Sequence, residues 1–178
     1  MTVVETVPGE VVTFLEMTNP DQLRPGRVVP GLVLDGTDDE ALMRATTTRV
    51  GAPYRWPSAT WSDAAWAGWF ADTRRQSFVL RADGEVAGVL ETTAHVPWEV
   101  EIASFGLLPE RVGTGLGGHA LTLAVQHAWR LDHPSLTEVR RVWLHTSTLD
   151  HPHALTNYRA RGFRPFRTRT RGHVVRTG

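Results

Sequence analysis

The 178-residue sequence contains no cysteine and no lysine, and its charges cancel: 19 basic and 19 acidic residues give a formal net charge of +0. Without cysteine, disulfides, thiolate metal sites and a cysteine nucleophile are excluded together. Without an excess of positive charge, the chain offers no electrostatic footprint for gripping a phosphate backbone, so nucleic acid is not an expected partner. No stretch is apolar for long enough to cross a bilayer, and Met1 to Glu10 carries two glutamates with no basic segment ahead of an apolar core. These absences predict a cytoplasmic protein with no membrane partner. The arginine-only set of basic residues is a compositional trait for which GC-rich coding is the simpler cause.

What remains is an ordinary apolar fraction in a chain long enough for one sizeable core, which predicts a single domain over residues 1–178. Glu10 to Met17 is β-branched and aromatic and ends at Asn19-Pro20, as a first strand would. The Pro- and Gly-rich segment from Asp21 to Gly36 reads as loop. Asp38 to Arg49 starts acidic and ends basic, which suits a helix and its dipole. Ser62 can cap a second helix, Asp63 to Asp72, whose Ala65, Trp66, Trp69 and Phe70 recur at helical spacing and read as core.

Gln76 to Ala82 and Glu85 to Thr92 flank Asp83-Gly84, a dipeptide that tolerates the positive φ angles of a tight hairpin. Val100 to Leu107 is a further strand, followed by a glycine turn and an amphipathic helix from Leu116 to Trp129. Val139 to Thr146 reads as a strand, Pro152 to Arg161 as a helix ending at Gly162, and Phe163 to Arg167 and Thr168 to Val175 as closing strands. Hairpin and crossover connections together imply a mixed sheet flanked by helices, an α/β or α+β sandwich.

The turn Arg111-Val112-Gly113-Thr114-Gly115-Leu116-Gly117-Gly118 lies between a strand and a helix, which gathers backbone N–H groups and the positive helix end at one point suited to an anion. Glycine lets the anion approach those donors, and Thr114 could add a hydroxyl. A P-loop reading fails for want of a following lysine. A dinucleotide reading fails because the turn lies past the middle of the chain. Close helix packing alone would account for one or two of these glycines.

Phe105 to Leu121 (FGLLPERVGTGLGGHAL) resembles the acetyl-CoA-binding signature of the GCN5-related N-acetyltransferases, written R/Q-x-x-G-x-G/A. With Gly115 and Gly117 on its last two glycine positions, Val112 stands where the family usually has Arg or Gln, and Arg111 falls one residue early. Leu149 to Phe163 resembles the family's later motif, with Ala154, Tyr158, Gly162 and Phe163 in register and His151 where Asn is common. The resemblance spans roughly Gln76 to Phe166. It implies a mixed, mostly antiparallel sheet splayed at the cofactor strand, and acetyl transfer from acetyl-CoA to an amine. It also implies a cofactor site built from Phe105, Gly106, Leu107, Val112, Gly113, Thr114, Gly115, Leu116, Gly117, Gly118, His151 and Tyr158. Members of the family often dimerise, so a homodimer is compatible with it.

Amide formation needs a neutral amine, an oxyanion donor and a proton for the departing thiolate. The resemblance assigns Tyr158 as general acid. For the base, Glu101 lies on the cofactor strand, on one face with Ala103 and Phe105 by period-two alternation. Glu91, Glu99 and His145 are alternatives. Tyr54, Arg55, Trp56, Trp98 and His145 are candidate acceptor contacts, an Arg among aromatics being suited to a carboxylate or a ring. His133, His145, His151 and His153 lack paired carboxylates or an H-E-x-x-H spacing, so no metal is expected. The leading expectation is acetylation of a small-molecule amine. A peptide or protein N-terminus, or a non-catalytic acyl-CoA-binding module, stand as alternatives.

Overall fold

The computed structural model describes residues 9–170. In chain order its elements are β1 (Val11–Met17), β2 (Leu32–Gly36), α1 (Glu40–Gly51), α2 (Asp63–Ala71), β3 (Arg75–Ala82) and β4 (Glu85–His95). These are followed by β5 (Glu99–Leu107), α3 (Gly117–Trp129), β6 (Arg141–Ser147), α4 (Ala154–Ala160) and β7 (Arg164–Thr170). The strands form one sheet in the order β2-β3-β4-β5-β6-β1-β7. Every neighbouring pair is antiparallel except β5 with β6.

Local chemistry accounts for most boundaries. Asp39 caps α1 by accepting from Leu42 N at 2.9 Å, and Ser62 caps α2 by accepting from Ala65 N at 3.2 Å. Asp83 at φ 50° and Gly84 at φ +86° make the β3–β4 hairpin turn.

Two expectations change. The segment expected as loop contains β2, because Leu32, Val33 and Leu34 follow Gly31 at φ +80° and pair with β3 as an edge strand, a short apolar run hidden among prolines and glycines. The closing strands are one strand, β7, within the described residues; the expected stretch from Thr168 to Val175 lies partly outside them. β1, the first strand in sequence, lies inside the sheet between β6 and β7.

The main core packs α3 against one side of the sheet, with Leu90, Val100, Ile102, Leu121, Val125, Leu144 and Tyr158 among its buried members. On the other side α1 covers β3 to β5 through Met43 and Val50, which pack with Val79 and Val89. Of the α2 residues expected in the core only Trp66 is buried; Ala65 is exposed, Trp69 and Phe70 are half-buried, and the Trp69 indole donates to Glu91.

Pairing between β5 and β6 lasts for three residue pairs, Glu99 with Arg141, Val100 with Val142 and Glu101 with Trp143. Beyond Glu101 the two strands part, and the wedge between them opens toward the glycine turn. β5 also carries a bulge: Ser104 opposes Glu91 and Ile102 opposes Thr92, which leaves Ala103 unpaired. The extra residue reverses the alternation, so Phe105 joins Val100 and Ile102 on the α3 side. The expected common face of Glu101 and Phe105 is therefore corrected; the two side chains point to opposite faces.

Candidate active site

The wedge ends in an open cavity of about 290 Å³, walled by β5 (Phe105 to Leu107), the glycine turn, the α1–α2 loop and the β6–α4 loop. Val112, Gly113, Gly115 and Gly117 line it. Gly113 at φ +76° and Gly115 at φ +87° occupy backbone conformations that other residues resist, and a Cβ on either would meet no protein atom within 4 Å. No side chain caps α3, so its first-turn N–H groups are open to an anion from the cavity side. Asn157 of α4 donates to Gly117 O at 3.1 Å and holds this helix start in place.

Thr114, Leu116 and Gly118 do not line the cavity. The Thr114 hydroxyl is spent on Arg111 O at 2.5 Å, Leu116 is buried with Leu32 and Leu80, and Gly118 gives the close approach to Gly26 and Arg161. Arg111 pairs with Glu85 at 2.9 Å, so it is engaged away from Val112.

At the inner end Tyr158 is buried, with its ring centroid 6.5 Å from that of Phe105. Burial, and then the charge of Asp150, push its phenol above the usual range, so it stays protonated at neutral pH. Tyr54 and Trp56 line the cavity from the α1–α2 loop, while Arg55, left-handed at φ 56°, is exposed. Tyr54 meets His151 edge-on at 6.2 Å, and His151 with His153 completes the wall. Gly106 admits the end of α1 and this loop, since a Cβ there would lie 2.6 Å from Val50 and 3.5 Å from Trp56.

Sequence reasoning missed Asp150. Its Oδ1 accepts from Trp56 Nε1 at 3.0 Å, and its Oδ2 from Thr146 Oγ1 at 2.6 Å and Ser147 N at 2.8 Å. Its position directly before His151 was the available signal. Asn157, directly before Tyr158, was missed in the same way.

The carboxylates on β4 and β5 lie outside the cavity walls. Glu101 bonds His95 Nε2 at 3.0 Å, and Glu99 bonds Arg141 at 3.1 Å. Glu91 is fully buried opposite Ser104, accepts from the Trp69 indole, and has one carboxylate oxygen with no partner. Arg75 stacks on that indole at 3.3 Å from the ring centroid. Burial pushes the Glu91 carboxyl up to about 7 against the opposing pull of Trp69 and Arg75. It forms part of a second, more polar cavity of about 490 Å³ beneath α1 and α2.

His145 lies exposed on β6 against Phe14, and Trp98 sits just before β5, under Arg140. Neither reaches the wedge cavity. Among the described residues no group of three or more His, Asp or Glu could hold a metal ion, and no helix is long and apolar enough to cross a membrane.

The family model described as "Acetyltransferase (GNAT) family" matches residues 42–163. The chain belongs to this family. Solved structures of GNAT proteins share its fold. A GCN5-related N-acetyltransferase from Kribbella flavida superposes with a TM-score of 0.63 at 20% identity, over 91% of this chain and 58% of its own length. One from Sphaerobacter thermophilus gives 0.63 at 17%, over 92% and 51%. An acetyltransferase from Thermus thermophilus gives 0.57 at 22%, over 81% of this chain and 99% of its own. The GNAT chain described here thus spans little more than half of the first two proteins. No curated protein matches it.

The GNAT donor is acetyl-CoA, and the site fits it. Open N–H groups at the glycine turn suit a pyrophosphate, the unpaired edge of β5 suits an extended amide-bearing arm, and the apolar wedge suits a thioester. Gly113, Gly115, Gly117, Val112 and Phe105 to Leu107 would hold it.

Proposed function

We propose that this chain is an acetyl-CoA-dependent N-acetyltransferase acting on a small-molecule amine by direct attack on the thioester. The observation that carries this reading is a single cavity joining the uncapped α3 start, the edge of β5 that β6 leaves free beyond Glu101, and the protonated phenol of Tyr158. Acetyl-CoA supplies an activated acetyl group. Phe105 to Leu107 offer backbone groups at the wedge, Tyr158 holds the proton for the leaving sulfur, and Tyr54 and Trp56 form the roof on the acceptor side.

Glu101 is the base in this reading, receiving the amine proton through a chain of waters, because it lies outside the cavity walls on the opposite face from Phe105 and four strand residues, about 13 Å, separate the two. The position of Glu91 opposite Ser104, next to Phe105, supports it as an alternative, and burial that pushes its carboxyl up to about 7 suits a base. The test is thiol release from acetyl-CoA over a panel of amines, with Tyr158→Phe as control. Val112 in place of the family's usual Arg or Gln, with Arg111 drawn off to Glu85, favours a second reading, an acyl-CoA-binding module without turnover. Saturable binding with no thiol released from any amine would establish that module and end the enzyme reading.

A further inference from the structure

Asp150 is the negative charge in the wall of the wedge cavity, and among the described residues it forms no ion pair. Its three hydrogen-bond donors, the Trp56 indole, the Thr146 hydroxyl and the Ser147 amide, are all neutral, so they fix the carboxylate without cancelling its charge. They also leave lone-pair capacity on Oδ1, which accepts a single bond. Val50, Tyr54, Phe105 and Tyr158 line the same cavity, with His151, His153 and Asn157 among its other polar side chains, and in a wall so largely apolar an uncompensated charge acts strongly. The phenols of Tyr54 and Tyr158 both register that charge.

We propose that the Asp150 carboxylate anchors the ammonium group of the acceptor, so that the cavity selects aliphatic amines, which are cationic in neutral solution, over weakly basic aromatic amines, which are not. This rests on the acetyl-transfer reading and names the acceptor class within it. A bound ammonium directs one N–H at Oδ1, between the side chains of Tyr54 and Trp56 that line the same cavity. The contact belongs to the binding step. No bond to carbon forms or breaks in it, and the ammonium must lose a proton before its nitrogen attacks. Removing the charge is therefore expected to weaken substrate capture more than turnover.

The experiment compares the full-length wild type with Asp150→Asn and Thr146→Val at pH 7. It uses thiol release with benzylamine, further primary alkylamines, aniline and substituted anilines, and acetyl-CoA titration by calorimetry. Asp150→Asn should raise KM for alkylamines at least tenfold, leave kcat within about threefold, and leave aniline KM and acetyl-CoA affinity within twofold. Thr146→Val removes one support and keeps the charge, so the alkyl-to-aryl preference should persist. Equal losses for both amine classes in Asp150→Asn, or none for either, would reduce Asp150 to a support for Trp56 and overturn the proposal while leaving acetyl transfer intact. A wild type that binds acetyl-CoA and releases thiol with no amine would overturn both.

Discussion

At the scale of single residues, the two groups with the largest displaced ionisation invite opposite tests. Tyr158 holds its proton throughout the working range, and Tyr158→Phe should lower kcat by roughly a hundredfold or more if the phenol protonates the leaving sulfur. Calorimetry of the same variant should show acetyl-CoA affinity within about twofold of wild type.

Glu91 has a folded pKa of about 7, above its ordinary 4.5. The folded state therefore holds a proton that the unfolded chain has already released, so stability falls as pH rises from about 4.5 to about 7 and is level beyond. The shift corresponds to about 3 kcal/mol. Glu91→Gln should remove this dependence, which urea unfolding at pH 5 and pH 8 would show as a smaller difference between the two pH values than in wild type. If Glu91 is also the base, the rising limb of kcat/KM near pH 7 should disappear in the same variant; an unchanged limb would leave the role to Glu101. Tyr158 was legible in the sequence because a motif register pointed to it. The burial of Glu91 was not, since a glutamate on a strand reads alike whether its face meets water or the underside of a tryptophan. Asp150 was hidden because its partners come from the α1–α2 loop and β6, and the loop is far away in the chain.

At the scale of elements, the strands, helices and glycine turn were largely readable from periodicity and caps, and the places that escaped are those where neighbours decide. β2 is five residues long among prolines and glycines, and only pairing with β3 makes it a strand. The β5 bulge cannot be seen in VEIASFGL, because an unpaired residue is a property of two strands together. It inverts the facing of Phe105 and so determines which side chains meet the wedge. The glycine turn is open to direct test. Gly115→Ala places a Cβ at φ +87°, a strain of about 1–2 kcal/mol, and directs it into the space beside the α3 start. Acetyl-CoA titration followed by tryptophan fluorescence should then show affinity at least tenfold weaker with near-wild-type circular dichroism. Trp56 in the cavity wall provides the signal.

At the scale of the whole molecule, charge balance and topology make separate demands. With a net charge of +0 the chain has little self-repulsion near neutrality, so its solubility should pass through a minimum around pH 7 and recover on either side, as turbidity at a fixed protein concentration would show. The mixed sheet was foreseen, but its strand order was not, because nothing local announces that the first strand will sit between two of the last. That placement governs the order of assembly. The backbone N–H of Val11 meets the hydroxyl of Thr148 across 137 residues of sequence, and β1 completes its ladders with β6 and β7 only after nearly all the described chain has been made. During synthesis on the ribosome, β1 must therefore remain an unpaired apolar ribbon while β3, β4 and β5 zip as neighbours. Such high contact order places the closing of the β6-β1-β7 half late and slow in folding, and makes it the half most exposed to chaperones and to mispairing with other chains.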